Sequence, residues 1–198
     1  GRTELKAGQA DFISGVQAIK AEIVKGNLLQ GVLSRRITVQ TELPPLEAYR
    51  RLRRENPSPY LFFFNFGDFV LLGSSPEIMV QYRNHTAVLK PIAGTRPRGD
   101  TLEEDLNLEK ELLLDEKERA EHLMLVDLGR NDLGRTAVPG SVRVVQSYGI
   151  ERFSRVMHIV SKIESTCAPR CEVSEVIRTT FPAGTVSPTE HGVTSTGW

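Results

Sequence analysis

The chain has 198 residues, of which 39% are hydrophobic and 25% charged, proportions that are ordinary for a soluble globular protein. Its 25 basic residues balance its 25 acidic residues, so the charge gives no reason to expect nucleic acid or an anionic membrane as a partner. No apolar run reaches the roughly 18 residues of a transmembrane helix. The 2 cysteines are too few for a disulfide scaffold, so we expect a cytoplasmic protein.

Apolar periodicity predicts alternating helices and strands along the chain. Helical spacing is found, in chain order, in residues 11–25, 46–55, 101–114, 116–128 and 172–180. Strand patterns are found in residues 28–39, 60–66 (predicted to be buried), 69–72, 78–82, 86–92, 142–147 and 153–164. The glycines, arginines and proline of residues 94–99 indicate a loop. Because several hairpins are adjacent, we expect an α+β fold of largely antiparallel β-sheets with packed helices.

The highest density of charged residues lies in the predicted helix from residue 116. Glu118 and Glu121 are three positions apart, so their carboxylates share one face of that helix. A hard cation such as Mg²⁺ would explain this pair, since it binds through one or two carboxylates and keeps water for a substrate anion. A solvated acidic face, balanced by Lys117 and Arg119, explains the same spacing.

Other candidate residues are ambiguous when each is taken alone. His158 shares a strand face with Val156 and Val160, a position typical of a hydrogen-bonded core histidine as well as of a catalytic one. Glu77 opens a strand after a turn and is a single carboxylate. The guanidiniums and backbone N–H groups of residues 94–99 would suit a carboxylate ligand, or a mobile surface loop. Cys167 and Cys171 form a C-x3-C pair, which we interpret as two thiols in a polar loop.

Six segments of distinctive sequence follow one another along the chain: Asn56–Tyr60, Ser75–Glu77, Pro91–Gly99, Ala120–Asp132, Val156–His158 and Phe181–Ser187. Taken together, they resemble the chorismate-utilising enzymes, and most closely the large subunits of anthranilate synthases. The resemblance covers about residues 10–187. We therefore expect a partial chorismate-binding catalytic domain over residues 1–187 and a disordered tail over residues 188–198.

The resemblance implies a Mg²⁺-dependent lyase of tryptophan biosynthesis. Such an enzyme converts chorismate to anthranilate and pyruvate, with ammonia supplied by a glutamine amidotransferase small subunit. It implies that Glu121 is a Mg²⁺ ligand, that Glu118 is a neighbouring Mg²⁺ ligand or a carboxylate just behind the ligands, and that Glu77 is the acid that protonates the leaving hydroxyl. His158 would lie near that hydroxyl. The implied substrate contacts are Gly94, Thr95 and Thr185, and the implied site for tryptophan as feedback inhibitor is Asn56, Pro57, Ser58, Pro59 and Tyr60.

Two positions distinguish branches of this family. Where water-using members carry a lysine, this chain has Gln30, which favours ammonia as the nucleophile. Where aminodeoxychorismate synthases of the folate pathway typically carry a nucleophilic lysine, this chain has Ala93. Component I of that enzyme, or a non-catalytic remnant that binds a glutaminase, remain the alternatives. Because the family's C-terminal third is not represented, we expect the chain by itself to be inactive.

Overall fold

The computed structural model describes residues 3–5, 9–28 and 30–184. Clustering of close contacts divides the chain into two compact units, Gly1–Ala48 and Tyr49–Trp198. Thr185 and the predicted tail, residues 188–198, lie outside the described residues. In the part of the chain that is described, no helix combines the length and the apolar character needed to cross a bilayer.

The first unit consists of β1 (Thr3–Leu5), α1 (Gln9–Val24), β2 (Ile37–Val39) and the start of α2 (Pro45–Glu55), and β1 pairs with β2 antiparallel. The strand predicted over residues 28–39 is wrong before Ile37. That segment packs against α1 instead: a Cβ placed on Gly31 would meet Ile19 Cγ2 at 2.5 Å. The residues before Ile37 therefore pack against helix α1 and do not form a β-ladder. Gln30 consequently lies in no strand.

The second unit is an α+β structure in which every strand pairing among the described residues is antiparallel, which confirms the predicted fold class. Its elements are β3 (Tyr60–Asn65), β4 (Val70–Ser75), β5 (Gln81–Arg83), β6 (Thr86–Leu89), β7 (Ile92–Pro97), α3 (Leu102–Leu114), α4 (Glu116–Gly134), β8 (Arg143–Arg152), β9 (Val156–Thr166) and α5 (Val173–Thr180). Strand β9 is central, because β6, β7 and β8 all pair with it.

Side-chain caps fix the starts of the two long helices. The Thr101 hydroxyl accepts a hydrogen bond from the Glu104 N–H at 3.2 Å, and the Asp115 carboxylate accepts one from the Glu118 N–H at 3.1 Å. Each bond satisfies an amide that has no partner within the helix. Helix α4 continues to Gly134, beyond the predicted end at residue 128, because its last turns bury Leu133 in the core.

The aromatic hairpin β3–β4 forms as predicted, but its burial was predicted wrongly. Phe64, Phe66 and Phe69 are 54%, 58% and 60% exposed. Within the described residues β3 and β4 form a sheet of their own, and the rings contact one another, with Phe66 and Phe69 centroids 4.9 Å apart. An apolar run alone does not tell whether a second layer covers the strand.

Residues 94–99 were predicted as a loop, and this prediction is wrong for most of them. Residues up to Pro97 belong to β7, which pairs with the first half of β9. The register shifts between Ala93 and Thr95, so Gly94 lies in a bulge, where its φ of 69° suits a residue without a Cβ. The glycine that suggested a loop is what allows this strand to bend.

Both cysteines are buried, which contradicts the prediction of a polar loop. Cys167 and Cys171 are 2% and 8% exposed and pack with Val176 and Leu133 in the core between β9, α4 and α5. Their free thiols are therefore apolar packing groups in this fold.

We expect the Cys171 thiol to react with Ellman's reagent at pH 8 about 100-fold more slowly in the folded protein than in urea. Burial raises the pKa of the Cys171 thiol to about 11, and only the thiolate attacks the reagent. The measurement is the rate of absorbance increase in each solvent. Equal rates would mean that the C-x3-C segment is open to solvent.

Candidate active site

His158 and the bulge at Gly94 are joined where β9 pairs with β7. The Nδ1 atom of His158 lies 2.9 Å from the Gly94 carbonyl oxygen and 3.1 Å from Thr95 Oγ1. Because a carbonyl oxygen only accepts, Nδ1 must carry the proton. In the neutral ring Nε2 therefore keeps its lone pair and is the nitrogen available to a ligand. As predicted, His158 lies on a strand, where it is half-buried.

Glu77 lies in the turn that follows β4. Its Oε1 accepts a hydrogen bond from the Ile92 N–H at 3.3 Å, and its own N–H donates to Ser75 Oγ at 3.3 Å. Although part of the residue is open to solvent, nearby protein atoms displace water around the carboxylate, and this desolvation raises the pKa of Glu77. The Ile92 N–H and the charge of His158 lower that pKa to a smaller extent. The Glu77 carboxylate is therefore bound to the first residue of β7, the strand that carries Gly94.

Helix α4 brings Glu118 to the same bulge. A Cβ placed on Gly94 would lie 3.3 Å from Glu118 Oε2 and 3.0 Å from Leu112 Cδ1. Glu121, also half-buried, follows after three residues on the same face. Further along this face, Leu125 and Leu128 line a cleft. Gly94, Glu118 and His158 are thus brought together, and the helix directs Glu121 to the same side.

Glu118 and Glu121 together offer a metal ion two carboxylates from one helix face. No group of three or more His, Cys, Asp or Glu side chains among the described residues is arranged to hold a metal. A cage built by protein ligands alone is therefore not present in that part of the chain. Mg²⁺ often binds through one or two carboxylates, with water and a substrate anion as its other ligands. Two neighbouring carboxylates on one helix face suit that arrangement.

A cleft of about 320 Å³ opens beside Glu77, between the residues around β4 and β6 and one face of α4. Its wall is mainly apolar, with Asp132 on α4, Thr180 on α5 and Lys90 after β6 among its polar residues. Asp132 is buried, which raises its pKa. Sequence reasoning did not select Asp132, although Asp132 ends one of the segments that carry the resemblance. Of the predicted site residues that the structure describes, only Glu77 lines this cleft.

A second cleft, of about 480 Å³, adjoins the first. Tyr60, from the predicted tryptophan segment, lines it together with Phe62. The two clefts share a wall formed by Ser75, Glu77, Ile78 and Met79. At the other end of the segment, the Asn56 carbonyl accepts a hydrogen bond from the Ser74 hydroxyl at 2.6 Å, which fixes the end of α2 to β4.

Several curated relatives are similar to almost the whole chain. Anthranilate synthase component 1 of Spirochaeta aurantia is 58% identical over 176 residues, which are 89% of this chain and 36% of the relative. The protein of the same name from Pseudomonas putida is 48% identical over 177 residues, again 89% of this chain and 36% of the relative. The chain thus spans little more than a third of the length of these relatives.

Solved structures are also similar to almost the whole chain. The crystal structure of anthranilate synthase component I from Streptococcus pneumoniae TIGR4 superposes with a TM-score of 0.85 at 39% identity, covering 94% of this chain and 41% of that one. The menaquinone-specific isochorismate synthase of Escherichia coli, at 20% identity, shares the fold with a TM-score of 0.69 over 92% of this chain and 42% of its own.

The family match covers nearly the same span. Residues 2–189 match the family described as chorismate binding enzyme. That span contains each of the segments that carried the resemblance, including the bulge at Gly94 and the helix with Glu118 and Glu121. The chain therefore belongs to the chorismate binding enzyme family.

Proposed function

We propose that these residues form part of an anthranilate synthase, which converts chorismate and ammonia to anthranilate, pyruvate and water. The observation that carries the proposal is that His158 and Glu118 meet at the bulge of Gly94, while Glu77 bonds to the Ile92 N–H two residues before it. The relatives named anthranilate synthase component 1 support the same reaction. Ala93 is buried in β7 and offers no nucleophile, which favours this branch over an aminodeoxychorismate synthase.

The proposed chemistry needs a proton for a poor leaving group. Ammonia adds at ring carbon 2 while the hydroxyl at carbon 4 departs as water, and loss of the proton from carbon 2 then releases the side chain as pyruvate. Glu77 suits the first proton transfer, because desolvation by nearby protein atoms raises its pKa and so favours the protonated acid. His158 donates through Nδ1 to Gly94, which leaves Nε2 to contact the departing oxygen.

The proposed site must also offset negative charge, because chorismate is a dianion. In this proposal Glu118 and Glu121 hold Mg²⁺, which would offset the charge of the ring carboxylate and so lower the cost of burying it. The hydroxyl of Thr95 lies beside His158, and the backbone of Gly94 lies beside Glu118; both are the proposed substrate contacts among the described residues. Thr185, the other proposed contact, follows directly after the described segment.

Ammonia is proposed to come from a glutamine amidotransferase partner, as "component 1" in the names of the relatives suggests. Tryptophan is the proposed feedback inhibitor. The segment Asn56–Tyr60 would bind it at the second cleft, which shares its wall at Glu77 with the first. A ligand at Tyr60 could in this way alter the position of the proposed acid.

The test is anthranilate fluorescence from the protein at its full natural length, incubated with chorismate, Mg²⁺ and an ammonium salt. We expect activity, and we expect Glu121→Gln to reduce kcat/KM at least about 100-fold, since a weakened ligand costs metal affinity. Glu116→Gln is the matched control, because Glu116 is an exposed carboxylate on the same helix. Aminodeoxychorismate as the product, or full activity of Glu121→Gln, would refute the proposal. The 198-residue chain assayed alone tests the expected inactivity.

A further inference from the structure

The imidazole of His158 makes two kinds of contact that together fix its orientation. Its Nδ1 donates to the Gly94 carbonyl oxygen at 2.9 Å, and Thr95 Oγ1 lies 3.1 Å from the same nitrogen. The Phe153 ring packs against the imidazole, with ring centroids 5.5 Å apart and an angle of 61° between the ring planes. This distance and angle are those of an edge-to-face aromatic pair. The hydrogen bond holds one nitrogen, and the aromatic contact limits the tilt of the ring.

Phe153 is itself fixed in the turn between β8 and β9. Its N–H donates to the Val156 carbonyl at 2.8 Å, and its carbonyl accepts a hydrogen bond from Arg98 Nη1 at 3.0 Å. Arg98, which directly follows β7, also donates through its backbone N–H to the Arg155 carbonyl at 3.1 Å. Its guanidinium is oriented by two hydrogen bonds to the buried Asp105 carboxylate, at 2.7 and 3.1 Å. The backbone that carries the Phe153 ring is therefore held at both its N–H and its carbonyl.

The hydrogen bond and the aromatic contact restrict different motions of the imidazole. The torsion that turns a histidine ring about its Cβ–Cγ bond is broad and roughly two-fold, so by itself it fixes neither the tilt of the ring nor the positions of the two nitrogens. The bond to Gly94 selects the orientation with Nδ1 at the carbonyl, and the Phe153 ring limits the tilt. Without that ring the imidazole would tilt, the bond from Nδ1 would weaken, and the proton could move to Nε2. The lone pair of Nε2 would then no longer be available to a ligand.

We propose that Phe153 is a positioning residue for His158: its ring holds the imidazole so that Nδ1 keeps its proton and the Nε2 lone pair keeps one direction. The part that His158 plays toward the substrate rests on the proposed function. The positioning itself rests on contacts among described residues, namely the hydrogen bond to Gly94, the ring of Phe153 and the bonds that Arg98 makes to the turn.

The position of the ring proton tests the positioning. Nitrogen NMR of the full-length protein, labelled with ¹⁵N-histidine and recorded at about pH 8 to favour the neutral ring, shows which ring nitrogen is protonated, and His158→Gln assigns the signal. We expect the unchanged protein to hold more than about 90% of His158 in the form with the proton on Nδ1, and Phe153→Leu to raise the other form to about a third or more, since the hydrogen bond weakens. Phe153→Tyr keeps the ring and should match the unchanged protein. A signal from the Nδ1-protonated form alone in Phe153→Leu overturns the proposal.

Kinetics on the full-length protein connect the positioning to the reaction. We expect Phe153→Leu to lower kcat about tenfold with KM for chorismate changed by less than about twofold, and Phe153→Tyr to restore kcat. Phe69→Leu is the matched control, because Phe69 is a 60% exposed ring in the β3–β4 hairpin. If Phe153→Leu fails to fold, Phe153→Met serves instead, since it fills the space without a flat ring. A Tyr variant as impaired as the Leu variant overturns the proposal. A Leu variant with the changed proton position but an unchanged kcat refutes the proposed part of His158 in the reaction, while it supports the positioning.

Discussion

Replacing Leu112 with alanine is expected to lower the free energy of unfolding by about 2–5 kcal/mol, the range for deleting a buried leucine side chain. Leu112 is 0% exposed and packs in a small cluster with Met157 and Ile159 of β9. Its Cδ1 atom also lies under the bulge at Gly94, 3.0 Å from where a Cβ would stand. Truncation would leave a cavity between α3, β7 and β9 that these rigid elements close only in part.

Urea denaturation measures this change, provided that the dependence of the free energy on urea stays constant. Leu114→Ala is the matched control, since Leu114 lies two residues further along α3 and is 78% exposed. We expect the control to change the free energy by less than about 0.5 kcal/mol. If both variants lost the same stability, the cluster around Leu112 would not be the packing centre that its burial indicates.

Features fixed by neighbouring residues were predictable from the sequence. Thr101 and Asp115 cap their helices through bonds that span three positions, so the starts of α3 and α4 could be read directly. The spacing of Glu118 and Glu121 placed both on one helix face for the same reason. His158 was predicted on a strand from the apolar alternation around it, and it lies in β9.

Features that depend on a distant partner were not predictable. Residues 94–97 had the composition of a loop, but their partner strand is about 60 positions away: Thr95 Oγ1 contacts His158 across 63 positions. The acceptor for Gly184 N–H lies 52 positions back at Asp132. Composition carries no information about such pairings, because the bonds form only once β9 and α4 are packed together. The candidate site was therefore recognised by family resemblance, and its geometry came from the structure.

Asp105 is the centre of a second group of long-range contacts, which secures the turn before His158. Its carboxylate accepts hydrogen bonds from Arg98 Nε at 2.7 Å, from Arg152 Nε at 2.8 Å and from the Gly99 N–H at 3.0 Å. Arg98 also donates to the Phe153 carbonyl at 3.0 Å, and the Phe153 ring lies edge-on to His158 with centroids 5.5 Å apart. The Asp105 carboxylate is 4% exposed, so bulk water hardly competes for these hydrogen bonds.

We expect Asp105→Asn to lower the Tm clearly more than Asp100→Asn, since Asp100 is an exposed carboxylate in the adjacent loop. The asparagine keeps the shape but loses the charge, which removes the ion pair of Arg98 and leaves Arg152 with Glu109 as its remaining carboxylate partner. Thermal unfolding at pH 7, followed by circular dichroism, measures the difference. Equal Tm values for the two variants would contradict a role for this ion cluster in stability.

Acidification gives an independent check on the same carboxylate. Hydrogen bonds from Arg98 and then from Arg152 hold the pKa of Asp105 well below its usual value of 3.8. A carboxyl group whose pKa is lowered by folding contributes its full stability above the usual value and loses that contribution as the pH falls through the folded-state value. The Tm difference between the unchanged protein and Asp105→Asn should therefore be constant from pH 7 to about pH 5 and shrink below about pH 4. A difference that stays the same down to pH 2 would mean that the variant acts by changing packing, because the charge of Asp105 would then contribute nothing.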